Sequence, residues 1–200
     1  VSGVNLKNLV SVLLAQTFLL EDGRRILLGW MGMADSTDEY TNQTVEDGWQ
    51  HCLTLAREVS LKDGIVCQNP VRELVQWWSE EVPLKGEYAG TTDICYELDL
   101  KNANQKWEVL IADGLKLSWS PEEYVFRMEF LNEKLGCGRG LRAREMQKCT
   151  DIRVVVDASC VEVFMNDGKD VFSTRCYPEK DQYTVKVSGE GLTGFYRYKV

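Results

Sequence analysis

Alternation of apolar and polar residues is the dominant pattern of this chain, and it is clearest near the C-terminal end. The segment 160–165 alternates with the period of two that predicts a half-buried strand. Asn166-Asp167-Gly168 follows, and these residue types tolerate the left-handed backbone of a tight hairpin turn. A second alternating segment, 170–177, returns as far as Pro178. The pattern predicts an antiparallel hairpin.

Similar segments recur through the second half of the chain at the spacing expected of a sandwich or barrel. Ile94, Tyr96 and Leu98, for example, alternate with polar neighbours. The predicted strands are 93–100, 106–112, 115–118, 124–130, 141–146, 152–157, 161–166, 170–177, 182–187 and 194–198. The sequence therefore predicts an all-β fold with an antiparallel β-sandwich of the jelly-roll or lectin-like type over residues 81–200.

The first third also alternates, but it is separated from the sandwich by a different pattern. Strands are predicted at 24–30, 49–61 and 65–68, with a polar loop at 32–48. A proline begins the segment 70–78, and apolar residues follow it at helical spacing. We therefore predict a connector helix over residues 69–80 between an N-terminal unit, 1–68, and the sandwich.

The net charge and the lengths of the apolar segments argue against several classes of binding partner. The formal net charge is −8 and the isoelectric point is near 4.8, which disfavours nucleic acids and anionic membranes. The apolar run 9–20 is interrupted by Gln16 and Thr17 and is shorter than the ~20 residues of a membrane span. We expect neither a transmembrane segment nor a signal peptide.

Seven cysteines are spread along the chain without a C-x-x-C pair, so a zinc site is not expected. An odd number suits a secreted disulfide framework poorly, and several cysteines fall on apolar strand faces. We favour a reduced, cytoplasmic protein over a secreted one.

Few residues suggest catalysis or cofactor binding. His51 is the single histidine and no nucleophile-elbow motif accompanies it, so we favour a structural imidazole. The glycine-rich segment 136–140 precedes a strand rather than a helix, which favours a loop over a phosphate site. The nearby Arg139, Arg142 and Arg144 are expected to form a solvated edge. No cofactor is expected.

Four tryptophans leave two interpretations open. Trp77, Trp78, Trp107 and Trp119 could form a stacking platform for sugars, or they could fill the core. We favour the core, because large aromatic side chains dominate the interior of such folds.

Four segments, in the same order, resemble motifs of glycoside hydrolase family 32, the invertases and fructosidases. The segment 157–168, DASCVEVFMNDG, resembles the signature D-x-S-S-x-E-x-F-x-N-D-G. Residues 16–33 resemble Q-T-F…D-G-R-R-I-L-I-G-W-M-G-M, and 48–59 resemble G-W-Q-H-A-L-T-L-P-R-E-L. Residues 68–74 resemble Q-x-P-V-x-E-L. The similarity covers about residues 14–200, whereas 1–14 match poorly, with Leu13 where the family has tyrosine.

The resemblance implies part of the last blade of a five-bladed β-propeller up to about residue 68, followed by the sandwich. It implies the C-terminal portion of a retaining glycosidase that cleaves the fructosyl bond of sucrose, sucrose-6-phosphate or a fructan. The family's catalytic motifs, W-M-N-D-P-N-G, R-D-P and E-C, do not occur in these 200 residues. We therefore expect the chain to be inactive alone and, through its incomplete blade, to self-associate.

Two residues carry what the resemblance implies about the site. Trp30 matches an aromatic wall of the sugar pocket, although a buried strand tryptophan would give the same pattern. Glu162 lies in the signature strand, and we expect an outward-facing position with a structural or interdomain partner rather than a catalytic carboxylate. The alternative function is a non-catalytic carbohydrate-binding or subunit-contact sandwich.

Overall fold

Two antiparallel sheets make up the computed structural model, which describes residues 12–32, 42–179 and 183–198. The N-terminal sheet has the order β1-β2-β4-β5, and β3 also pairs with β2. Its strands are β1 Val12–Leu19, β2 Arg25–Met31, β3 Cys52–Leu53, β4 Arg57–Lys62 and β5 Ile65–Pro70.

The C-terminal sheet contains ten strands in the order β11-β10-β9-β8-β15-β7-β12-β13-β14, with β6 paired to β15. The strands are β6 Glu80–Thr91, β7 Cys95–Lys101, β8 Trp107–Ile111, β9 Leu115–Ser120, β10 Val125–Phe130, β11 Arg142–Glu145, β12 Asp151–Asp157, β13 Cys160–Met165, β14 Asp170–Arg175 and β15 Thr184–Tyr198. Short helical segments occur at Gln43–Val45 and Arg72–Trp77, both 3-10, and at Glu133–Gly136, which is α1.

The long strand β15 lets the C-terminal sheet bend back on itself. Its first part pairs with β8 and its second with β7, and the register shifts between Ser188 and Thr193. The inner sides of both halves share one core, in which the Phe126 and Phe172 rings lie 4.7 Å apart. Burial of these large side chains supplies the main favourable free energy of the fold.

The all-β, antiparallel prediction is confirmed, with differences in individual elements. The predicted strands 182–187 and 194–198 form the single strand β15, and the predicted strand 49–61 divides into β3 and β4. The predictions missed β6. Residues 1–11 and 33–41 lie outside the described residues, so the poorly matching start and most of the 32–48 loop are not compared.

The predicted connector helix over 69–80 is shorter than expected and of the 3-10 type. Pro70 ends β5, where it pairs with Arg57, and only a six-residue 3-10 segment follows. Within that segment Leu74 alone is buried. One buried position gives too little packing to stabilise a longer helix, since isolated short helices are marginal in water.

The tryptophans do not form a common platform. Trp107 and Trp119 are buried in the core, whereas Trp77 is 63% exposed on the connector. The expectation of a solvated arginine edge is wrong for Arg139, which is buried and donates to the Gly136 carbonyl oxygen at 3.1 Å. No helix among the described residues is long and apolar enough to cross a membrane.

Candidate functional site

Trp30 lies on β2 opposite Leu53 of β3, with its side chain half-buried. Its ring packs edge-on against the His51 imidazole, with centroids 4.7 Å apart and an interplanar angle of 69°. A Cβ atom at Gly32 would lie 2.7 Å from the Trp30 ring, so a glycine is needed for the ring to occupy this place. The ring is half-buried, so part of its aromatic surface remains exposed.

His51 contacts the Trp30 ring. Its Nδ1 atom is buried without a hydrogen-bond partner among the described residues. No group of three or more His, Cys, Asp or Glu side chains in the described part of the chain could hold a metal ion.

Glu162 lies at the interface between the two sheets. It projects from β13 on the side opposite the core, and its side chain is 2% exposed. Its Oε1 accepts a hydrogen bond from the Leu55 backbone N–H at 2.5 Å, and its Oε2 accepts from Arg57 Nε at 3.0 Å and Nη2 at 2.5 Å. The outward-facing position and the structural partner expected for Glu162 are therefore both present, and the N-terminal sheet buries the side chain.

Arg57 connects the two sheets, and all three nitrogen atoms of its guanidinium group donate hydrogen bonds. Besides Glu162, it donates to Gln68 Oε1 at 2.9 Å and to Ser173 Oγ at 2.7 Å. Its guanidinium carbon lies 5.4 Å from the centroid of the Phe164 ring. Full pairing of this kind is what makes a buried charge tolerable.

Strand register explains why these groups meet. Val155, Glu162 and Ser173 are directly opposite one another on β12, β13 and β14. Directly paired residues share one side of a sheet, so Glu162 and Ser173 both lie on the outer side of these strands, towards the N-terminal sheet. Beside it, Phe164 and Val171 pack with Leu74 in a small apolar cluster.

The environment of Glu162 argues against a catalytic role. Burial raises the pKa of its carboxyl group, and the Arg57 charge and the Leu55 N–H only partly oppose that effect. Both carboxylate oxygens are already occupied by protein donors. A nucleophile or general acid needs a free oxygen facing the substrate, and Glu162 has none.

The turn between β13 and β14 fits against β5. Asn166, Asp167 and Gly168 have φ values of 54°, 56° and 77°. The Gly168 carbonyl oxygen accepts a hydrogen bond from the Gln68 N–H at 2.8 Å, and a Cβ at Gly168 would lie 2.2 Å from the Gln68 oxygen. Lys62 forms an ion pair with Asp167. The hairpin is thus confirmed, and its turn is also a docking element.

A wide cavity of about 660 Å³ on the N-terminal sheet is rich in arginine, and three of these arginines pair with carboxylates. Arg24 contacts Asp22, Glu58 and Glu73. Arg72 in turn holds the pKa of Glu58 down at about 2, and Arg153 pairs with Glu97. These three arginines are therefore engaged with protein carboxylates, whereas Arg25 donates to the Thr17 hydroxyl.

Sequence reasoning identified Trp30 and Glu162 but missed Arg57 and Ser173. Arg57 was assigned only to an alternating strand, and Ser173 to the return strand of the hairpin. An arginine within an apolar strand was the one available signal, because such a charge needs a partner if it is buried.

Two family models match the chain in sequence order. Glycosyl hydrolases family 32 N-terminal domain matches residues 14–70, and Glycosyl hydrolases family 32 C terminal matches residues 127–198.

Curated relatives agree with these matches. A sucrose-6-phosphate hydrolase of Klebsiella pneumoniae is 33% identical over 179 residues, which are 82% of this chain and 34% of the relative. A raffinose invertase of Escherichia coli is 32% identical over 179 residues, 83% of this chain and 37% of the relative. The chain thus spans little more than a third of the length of these two relatives.

Solved structures share the fold. A sucrose-6-phosphate hydrolase from Lactobacillus gasseri has a TM-score of 0.85 at 22% identity, covering 98% of this chain and 43% of that chain. A family 32 β-fructofuranosidase from Bombyx mori has a TM-score of 0.74 at 23% identity, covering 95% and 40%. The ordered motifs, the two family models and these relatives together lead to one conclusion: the chain belongs to glycoside hydrolase family 32.

Proposed function

We propose that this chain is the C-terminal portion of a retaining β-fructosidase and that it does not hydrolyse fructosides by itself. The supporting observation is that the chain covers 34% of the Klebsiella relative and contains none of the family's three catalytic motifs. In this proposal residues 1–68 belong to the last propeller blade, 69–80 to a connector and 81–200 to a β-sandwich.

The residues of this chain are not sufficient to hydrolyse a glycosidic bond. Retaining glycosidases need two carboxyl groups about 5–5.5 Å apart on either side of the scissile bond. Glu162, the carboxylate of the signature, is fully engaged at the interface with Arg57 and Leu55. Binding interactions alone do not replace the missing nucleophile and acid/base group.

The substrate class follows from the relatives, whose names include sucrose-6-phosphate hydrolase and raffinose invertase. We infer that the parent enzyme acts on sucrose, sucrose-6-phosphate or a fructan. Trp30 would form an aromatic wall of its sugar pocket, with His51 holding the ring in place.

A chimera tests both the fragment and the role of Trp30. The part of the Klebsiella relative that precedes the aligned region is fused ahead of residue 14, and fructose release from sucrose and sucrose-6-phosphate is measured. We expect activity in the chimera. Trp30→Ala should lower its kcat/KM about tenfold, the value of one aromatic contact.

Two controls make that result decisive. Trp30→Phe keeps an aromatic surface and should retain most of the activity, whereas replacing the relative's nucleophilic aspartate should abolish it. An active chimera in which Trp30→Ala leaves kcat/KM unchanged would contradict the assignment of Trp30. A folded chimera without activity would contradict the proposal that the chain supplies a functional C-terminal part.

Self-association is the second expectation of the incomplete blade. Among the described strands β1 is at the edge of its sheet, and Phe18 and Leu19 are exposed on it. Open strand edges and exposed apolar side chains favour pairing with another chain. The chain should therefore elute as a concentration-dependent dimer in size-exclusion chromatography with light scattering.

Two lysine variants locate the contact. Leu19→Lys places a charge on the open edge and should shift the chain towards monomer. Leu141→Lys changes a similarly exposed leucine just before β11 and should not. A monomer at every concentration would refute this expectation and leave the subunit-contact alternative without support.

A further inference from the structure

Cys52 and Cys160 face each other across the junction of the two sheets. Cys52 lies on β3 and Cys160 begins β13, and their Sγ atoms are 3.3 Å apart. Both side chains are half-buried and both thiols are free. A modest side-chain movement would therefore bring the two sulfur atoms to the ~2.05 Å of a disulfide bond.

The positive charge of Arg175 lies closer to one sulfur of this pair and stabilises a thiolate there. Arg175 lies opposite Cys160 in the strand register, and its Nη1 is 3.4 Å from Cys52 Sγ. The guanidinium group is fixed by Ser159, whose Oγ and carbonyl oxygen accept hydrogen bonds at 2.6 and 3.2 Å. A buried, immobile cation beside one sulfur favours the thiolate at that sulfur.

The proton distribution follows from these contacts. The hydrogen bond from Cys160 lowers the pKa of Cys52, and Arg175 adds to the effect although burial opposes it. The same hydrogen bond and burial raise the pKa of Cys160. The Arg175 Nη1 atom, 3.4 Å from Cys52 Sγ, makes Cys52 the sulfur that we take as the nucleophile.

Other cysteines lack this combination. Burial, and next the hydrogen bond that Cys95 donates to Asp157 Oδ1 at 3.1 Å, raise the pKa of Cys95 to about 11. Burial raises the pKa values of Cys149 and Cys176 to about 12. Thiols held in the protonated form react slowly, so the pair should be oxidised in preference to these three cysteines.

A small oxidant can reach the pair. Cys160 lines a cleft of about 80 Å³ between the sheets, together with Leu53, Leu55 and Glu162. That volume exceeds the ~30 Å³ share of a water molecule. Both cysteines also depart from the family motifs given above: Cys52 stands where the motif has alanine, and Cys160 where the signature has serine.

We propose that Cys52 and Cys160 are a peroxide-sensitive thiol pair whose oxidation fastens the two sheets together. The Cys52 thiolate attacks one oxygen of hydrogen peroxide, the O–O bond breaks and hydroxide leaves, giving a sulfenic acid. The Cys160 sulfur then attacks the Cys52 sulfur, the disulfide bond forms, and the sulfenic oxygen leaves as water. Overall two thiols lose two electrons and one peroxide becomes two waters.

Mass spectrometry of the reduced chain, treated with a slight excess of hydrogen peroxide and then alkylated, tests the proposal. We expect two of seven thiols to escape alkylation and a peptide linking Cys52 to Cys160. The thermal unfolding midpoint should rise by about 10 °C, because the cross-link closes a loop of more than a hundred residues.

Variants separate the pair from general oxidation. Cys160→Ser should leave a Cys52 sulfenic acid that dimedone traps, Cys52→Ala should abolish the link, and Cys95→Ser should leave it unchanged. Peroxide treatment that leaves both thiols alkylatable, or that links another pair, would overturn the proposal. A link that leaves the midpoint unchanged would overturn the claim that it fastens the sheets. None of these outcomes depends on fructosidase activity.

Discussion

Replacing Glu162 by alanine lowers the free energy of unfolding by about 3–5 kcal/mol, the usual effect of removing one member of a buried ion pair. The substitution leaves the Arg57 guanidinium buried without its carboxylate and frees the Leu55 N–H. Urea denaturation followed by tryptophan fluorescence and circular dichroism measures the change. We expect the N-terminal sheet to lose its attachment first, so the two signals should no longer coincide.

A double variant and a surface control define that effect. The double variant Arg57→Met with Glu162→Leu should cost less than Glu162→Ala, because it removes both charges and retains apolar volume. Glu123→Ala removes a pair whose side chains are 33% and 55% exposed and should cost less than about 1 kcal/mol. If Glu162→Ala were as mild as Glu123→Ala, the interface role of Glu162 would be refuted.

Substitution of Gly168 by alanine should be severely destabilising. The new Cβ would lie 2.2 Å from the Gln68 carbonyl oxygen, and that oxygen belongs to backbone that cannot rotate away. The positive φ adds a cost of about 1–2 kcal/mol for any residue with a Cβ. The docked turn must therefore move, at a further cost of about 1–3 kcal/mol.

Gly64→Ala provides a matched control for the clash. Gly64 has φ of +76° against +77° at Gly168, but nothing lies within 4 Å of its Cβ position. It should show only the backbone cost, so Gly168→Ala should unfold at a clearly lower urea concentration. Equal midpoints for the two variants would show that the close approach between the turn and β5 does not constrain the protein.

The hairpin shows what local sequence could predict. Alternation and the Asn166-Asp167-Gly168 turn are properties of neighbouring residues, so β13, the turn and β14 were all expected. By contrast, the apposition of Gly168 with Gln68 joins residues far apart in the chain. No local pattern specifies that contact.

Burial of Glu162 was missed for the same reason. A carboxylate on a strand usually faces water, and only the position of Arg57 on the other sheet changes that expectation. The length of the connector helix was overestimated for a different reason. Its apolar residues have helical spacing, but Pro70 pairs with β4 and most of the apolar residues that follow are exposed, so the segment forms a strand end and a short 3-10 helix. Tertiary contacts decided both cases.

The cysteine pair could not have been foreseen from spacing. Cys52 and Cys160 are separated by 108 positions, and seven cysteines allow many pairings. Their apposition depends on β3 lying over β13, which only the packed sheets define.

The central proposal has two parts: the chain lacks the catalytic carboxylates, and Glu162 holds the two sheets together. Fructose release by the purified chain, measured beside urea unfolding, tests it most directly. With sucrose and sucrose-6-phosphate, the chain and its Glu162→Gln variant should both release no fructose above the buffer rate. The variant should nevertheless unfold at a lower urea concentration. Hydrolysis by the chain that disappears in Glu162→Gln would contradict the account, because it would make Glu162 a catalytic residue.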